Sequence, residues 1–101
     1  MNINDIQNEI IEEFSSFDDW MDRYSLLIEY GNGLEPFPEA NKNDNNLIDG
    51  CQSKVWFTAE MRDGKVFFHG DSDAILVKGI VALLIHVLNR HTPKEIIATE
   101  L

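Results

Sequence analysis

Residues 54–70 read KVWFTAEMRDGKVFFHG, and this stretch decides the fold class. Apolar and polar residues alternate on both sides of Arg62-Asp63-Gly64-Lys65. Asp63-Gly64 is the signature of a two-residue type I′ turn, which needs positive φ at both central positions. Such a turn sets Met61 opposite Val66 and Ala59 opposite Phe68. One face of the hairpin then carries Val55, Phe57, Ala59, Met61, Val66 and Phe68, and this is the expected core face. The other shows Trp56, Thr58, Glu60, Phe67 and His69, a mixed set. Two strands alone are marginal, so NLIDG at 46–50 is a candidate third strand.

Outward from the hairpin the period changes to helical. Downstream, AILVKGIVALLIHVL at 74–88 lies in a helix running from about Ala74 to Arg90. Asp71, Ser72 and Asp73 stand where caps and negative charge favour a helix start, and Arg90 and His91 stand at its cation-preferring end. The helix is apolar nearly all round, so it is expected to lie central and covered. A last helix opens at Thr92, with Pro93 at its first position and Glu95 at its third. Upstream, Ile3, Ile6, Ile10 and Phe14 recur at helical spacing, with Asn4 and Gln7 as a capping pair. Phe17, Trp20, Met21, Tyr24, Leu27 and Ile28 make a second stripe, with Ser16 and Asp19 at its start and Gly31 as its stop. Residues 31–50 have no period and hold Pro36, Pro38 and five asparagines between 32 and 46. A loop of this length in a small domain is usually functional or disordered. The expected fold is α+β, in the order ααββ(β)αα: a small curved antiparallel sheet of two or three strands, covered on one face by helices.

The chain has 101 residues, enough for one domain, 1–101, with one core. Its net charge is −10, which repels phosphate backbones and argues against nucleic acid. The longest apolar run is 15 residues and carries Lys78 and His86. A membrane span needs about 20, so a membrane partner is not expected. The acidic N-terminus has no signal-peptide pattern. With one cysteine the chain makes no internal disulfide, which fits a cytoplasmic setting.

That cysteine, Cys51, follows Gly50 at the lip between the long loop and the first strand. A lone cysteine is most often inert packing. Its position favours chemistry: Gly50 permits a tight turn, and reactive groups tend to sit on loops held by a rigid scaffold. A thiol of pKa about 8.5 is only a few per cent thiolate at neutral pH, and Lys54 with local N–H groups is placed to help it. His69, His86 and His91 show no metal spacing, and His86 reads as a hydrogen-bonded core residue. GNG at 31–33 follows a helix, so it is no phosphate loop. Asp71 and Asp73 read as caps before they read as an acid pair. Trp56 and Phe67 are either a partner patch or residues under the loop.

GCQSKVW at 50–56, followed by HGDSDAILVKGIVALLIHVLNRHTPKEI, closely resembles the SufE family of sulfur-acceptor proteins, and the helix exit YSLLIEYGNGL matches as well. The likeness runs from about Phe14 onward. It implies a SufE/NifU-like fold and a protein that is not a stand-alone enzyme. It implies a partner, a pyridoxal-phosphate cysteine desulfurase of the SufS type. Cys51 would accept persulfide sulfur from that enzyme, stimulate it, and pass the sulfur to a SufBCD-type scaffold that builds iron–sulfur clusters. Gln52 and Ser53 follow Cys51 in the same loop, and Asp73 matches the family's aspartate at the start of the long helix. No cofactor and no metal are implied for the chain itself. Family members usually continue with further C-terminal helices, which 1–101 does not include. Two rival readings remain: a SufE-like domain serving another desulfurase and pathway, and a redox-sensing or structural domain with a buried thiol.

Overall fold

A computed structural model describes residues 2–48 and 52–99. Two helices open the chain, α1 (Ile3–Ser15) and α2 (Trp20–Asn32). The strands are β1 (Val55–Arg62) and β2 (Lys65–Ser72), and they are followed by α3 (Ile75–Leu88) and α4 (Pro93–Ile97). The order is ααββαα, an α+β fold. The hairpin register is the expected one, with Met61 paired to Val66 and Ala59 to Phe68. Asp63 and Gly64 take φ of 51° and 77°, as a type I′ turn demands.

NLIDG supplies no full strand. It contributes one bridge, Leu47 to Trp56, with the Ile48 N–H donating to the Val55 carbonyl at 2.9 Å. The outer edge of β2 is guarded differently. The Val66 N–H donates to the His91 carbonyl and the Arg90 N–H to the Val66 carbonyl, both at 2.8 Å. The Phe68 N–H donates to Asn89 Oδ1 at 2.6 Å. The chain leaving α3 therefore pairs with β2 and removes donors and acceptors that an open edge would present.

The sheet rests on α3 through Val55, Val81 and Ile85, with Phe57, Phe68, Leu34 and Val77 packed around them. The alternation thus names the inner face correctly at the loop-proximal end. At the turn it fails: Met61 is 56% exposed and Ala59 is exposed as well. The helical layer stops short of the hairpin tip.

Several helix details differ from the sequence reading. α1 starts at Asn2, not Asn4: the Asn2 side chain accepts from the Asp5 N–H and the Asp5 carboxylate accepts from the Asn2 N–H. α2 is capped by Asp19, which accepts from the Met21 N–H, while Ser16 closes α1. Trp20, Met21 and Tyr24 are exposed, because α2 turns Leu27 and Gly31 toward α3 instead. Gly31 is not a stop: a Cβ there would lie 3.0 Å from the Gly79 nitrogen, and a Cβ on Gly79 would run into the Leu27 carbonyl. Both glycines exist for a close helix crossing. α3 is not covered all round, since Ile75, Leu76, Ile80 and Leu84 face solvent. His86 is exposed on α3 and packs edge-on to Tyr30 at 5.8 Å. Tyr30 also donates to Glu13 across α1 and α2; burial first, and then that bond and the charges of Glu13 and Glu9, push its phenol up to about 12. α4 starts as read, with Thr92 and Glu95 in a reciprocal capping box and Pro93 at its first turn.

Candidate functional site

The lip between loop and sheet is held at both ends. On the loop side, the last described anchor is Ile48, bonded to Val55. On the sheet side it is Lys54. The Lys54 N–H donates to Asp73 Oδ1 at 3.0 Å. The Lys54 carbonyl accepts from the Asp73 N–H at 3.2 Å and from Ser72 Oγ at 2.8 Å. Ser72, itself buried, also accepts from the Ala74 N–H at 3.2 Å. The backbone N–H and carbonyl of one residue, Lys54, therefore make three bonds with Ser72 and Asp73. Gly50 and Cys51 lie between these anchors and outside the described residues. Gln52, exposed, and Ser53, half-buried, form a bend leading into Lys54.

This corrects the expected role of Asp73. It does not cap α3, which begins after Ala74 with no side-chain cap bond. β2 runs through Ser72, so Asp73 sits one step past the ladder, opposite Lys54, and continues it with its carboxylate. Running the hairpin register outward from Met61 and Val66 pairs Lys54 with Asp73, so the signal was present in the sequence. Asp-Ser-Asp before an apolar run also resembles a helix start, and that local pattern masks the register signal.

Asp71 is a second focus. Its carboxylate lies 3.2 Å from Lys42 Nζ and 3.4 Å from Lys78 Nζ, and accepts from the Ser72 N–H at 2.8 Å. Burial would raise its pKa, but the Ser72 N–H and the two lysines outweigh it and hold the group below the usual carboxylate value. Lys42 also pairs with Glu39 at 3.1 Å and stands 5.5 Å over the Trp56 ring. Glu39 and then Asp71 raise its pKa. The asparagine-rich loop is not structureless: 3₁₀ turns at Glu39–Asn41 and Asp44–Asn46 are held by Asn43 and Asn46 side chains bonded to loop backbone.

Trp56 and Phe67 share the outer face but are not brought together. Trp56 pairs across the ladder with Asp71 and lies under Lys42, whereas Phe67 pairs with Glu60 and lies under Arg62, 4.1 Å away. Phe67 lines a cleft of about 1010 Å³ with Leu34, Phe68, Ile85 and Arg90. His69 stands between Glu35 at 3.6 Å and Glu60 at 3.4 Å. Among the described residues no group of three or more His, Cys, Asp or Glu is placed to hold a metal ion. No helix of the described residues is long and apolar enough to cross a membrane.

The sheet, the lip and the helix behind it define a small α+β domain with a two-stranded antiparallel sheet. The family model of SufE, the Fe-S metabolism associated domain, matches residues 8–101. Over 89 residues the chain is 51% identical to an uncharacterized SufE-like protein of Synechocystis sp. (strain ATCC 27184 / PCC 6803 / Kazusa). That alignment covers 88% of this chain and 56% of the relative, so the chain spans little more than half of the relative's length. The chain belongs to the SufE family.

Proposed function

We propose that the chain is a sulfur acceptor and activator for a SufS-type, pyridoxal-phosphate-dependent cysteine desulfurase, and that Cys51 carries the sulfur. The observation that carries this reading is the Lys54 anchor: three residues after the only thiol in the chain, Ser72 and Asp73 hold the backbone N–H and carbonyl of Lys54 by three bonds. Reactive groups tend to sit on loops that a rigid scaffold positions. Gly50, Gln52 and Ser53 flank the thiol in the same segment, and the family match supports a place in iron–sulfur metabolism.

The chemistry needs one thiol on each protein. The Cys51 thiolate attacks the outer sulfur of a persulfide on the desulfurase. The new bond joins that sulfur to Cys51, the old sulfur–sulfur bond breaks, and the desulfurase cysteine leaves as thiolate. Two electrons move with the bond, so no outside oxidant or reductant enters. A second exchange hands the sulfur to a scaffold of the SufBCD type. The chain is then an accessory protein rather than a stand-alone enzyme, working in the cytoplasm and carrying no cofactor of its own.

Cys51→Ser keeps nearly the same size and lacks a usable nucleophile. With a desulfurase, cysteine and pyridoxal phosphate, the unaltered chain is expected to gain one sulfur by intact-mass spectrometry and to raise turnover. The serine variant is expected to fold, gain none and stimulate none. Full stimulation by the serine variant would remove Cys51 from the role.

A further inference from the structure

We infer that residues 38–46 form a strap that covers Trp56 in the free chain, and that the Lys42–Asp71 ion pair is its fastener. As regulation of the acceptor site, this inference rests on the function proposed above.

The strap has two fixed ends. Phe37 is buried, and Ile48 is bonded to Val55. Between them the backbone is shaped by local bonds, including Asn41 N–H to the Pro38 carbonyl and Asn46 Nδ2 to the Asn41 carbonyl. These bonds stay within the loop and do not press it onto the sheet. None of residues 38–46 is buried. The far end is seated by backbone, since Leu47 bridges to Trp56 and the 44–46 turn packs against β1. Nearer the middle, the side chain that ties the segment to the sheet is Lys42, whose Nζ meets Asp71 at 3.2 Å and stands 5.5 Å over Trp56. Asp71 and Trp56 are cross-strand partners on the same face, so one ammonium spans both. Lys78 of α3 holds the other oxygen of Asp71 at 3.4 Å, which keeps the carboxylate aimed while Lys42 comes and goes. Trp56 is the second residue of β1, and Lys54, just before the strand, is the anchor that follows Cys51 by three residues in the sequence. Lifting the strap therefore bares an aromatic ring beside the acceptor segment, where a partner's surface would arrive. An ion pair and a cation–π contact near the surface are weak and screened by salt. Such a fastener holds a strap in the free protein and yields to a partner that supplies competing charge.

The test reads Trp56 directly. Trp20 is exposed and remote on α2, so Trp20→Phe leaves Trp56 as the only indole. In that background acrylamide quenching is measured for the full chain with Lys42 intact, for Lys42→Gln, for Lys42→Arg and for Lys78→Gln. Lys42→Gln is expected to raise the quenching constant about twofold or more, with unchanged far-UV circular dichroism. Lys42→Arg keeps charge and ring contact and should stay at the background value. Lys78→Gln should stay there too, since the Lys42 pair survives. Salt should raise quenching in the background and not in Lys42→Gln, a comparison that stands even if another variant folds poorly. Equal quenching in the Lys42→Gln chain and its background overturns the strap, as does an equal rise in Lys78→Gln. No desulfurase enters the measurement, so its failure leaves the acceptor reading standing, and inactivity of Cys51 leaves the strap standing.

Discussion

At the scale of single residues, the position that matters most is Asp73, because its carboxylate fixes the Lys54 backbone and not the helix it precedes. The bond from the Lys54 N–H to Asp73 Oδ1 is a charge-assisted one at 3.0 Å, on an exposed residue. A hydrogen bond to a charged group contributes about 1.5–3 kcal/mol, and solvent exposure reduces this one to about 1 kcal/mol net. If Cys51 reacts more readily when the Lys54 anchor is open, Asp73→Ala should speed its alkylation by iodoacetamide about fivefold. Ser72→Ala removes the bond to the Lys54 carbonyl and should act in the same direction. Asp73→Asn keeps an acceptor oxygen and should stay close to the unaltered chain. The helical content of α3 should be unchanged in Asp73→Ala, since Ala74 heads that helix without a side-chain cap. Alkylation rates and circular dichroism on the same samples check all four statements. A fall in helicity with no change in rate would restore the capping role.

At the scale of elements, the α2–α3 crossing sets where the sheet can lie. Gly79 is buried, and any side chain there meets the Leu27 carbonyl and side chain. Alanine is the better helix former by about 1 kcal/mol. Overpacking a tight contact costs about 1–3 kcal/mol, and here the obstacle is backbone, which cannot turn aside. The clash should win, so Gly79→Ala should lower the midpoint of urea unfolding. Gly31→Ala meets the Gly79 nitrogen at 3.0 Å and should be destabilising to a smaller degree. If Gly79→Ala instead raised the midpoint, helix propensity would outweigh contact and the crossing would have slack. The exit of α3 matters for the same reason. Arg90 takes φ of 65°, which turns the chain back so that Asn89, Arg90 and His91 bond along β2.

At the scale of the whole molecule, surface charge and exposed apolar area oppose each other. Leu76, Ile80 and Leu84 recur every fourth residue and stand 40%, 50% and 37% exposed on one face of α3. A net charge of −10 keeps copies apart at pH 7. Near the isoelectric point, pH ≈ 4.5, that repulsion is gone. Light scattering should therefore rise as the pH is lowered from 7 toward 4.5, and Ile80→Lys with Leu84→Lys should suppress the rise at the same pH offset from their own isoelectric point. Equal association in the double variant would show that the α3 face is not the sticky one.

The sequence by itself determined what depends on neighbours along the chain. The Asp63-Gly64 turn fixed the register, the register fixed which face of the hairpin is apolar, and Thr92-Pro93-Glu95 fixed the start of α4. The GCQSKVW motif marked the family and the thiol to ask about. What only the tertiary structure decided is where these elements meet. Trp20, Met21 and Tyr24 form a good helical stripe, yet the close approach of Gly31 and Gly79 turns a different side of α2 inward. Asp71, Ser72 and Asp73 look like a helix start because that pattern is local. Their real partners, Lys42, Lys78 and Lys54, lie on other segments. Ladder bonds, ion pairs and backbone crossings depend on distances between residues far apart in sequence. Periodicity records which side of an element is apolar, not which element covers it or stops short of it.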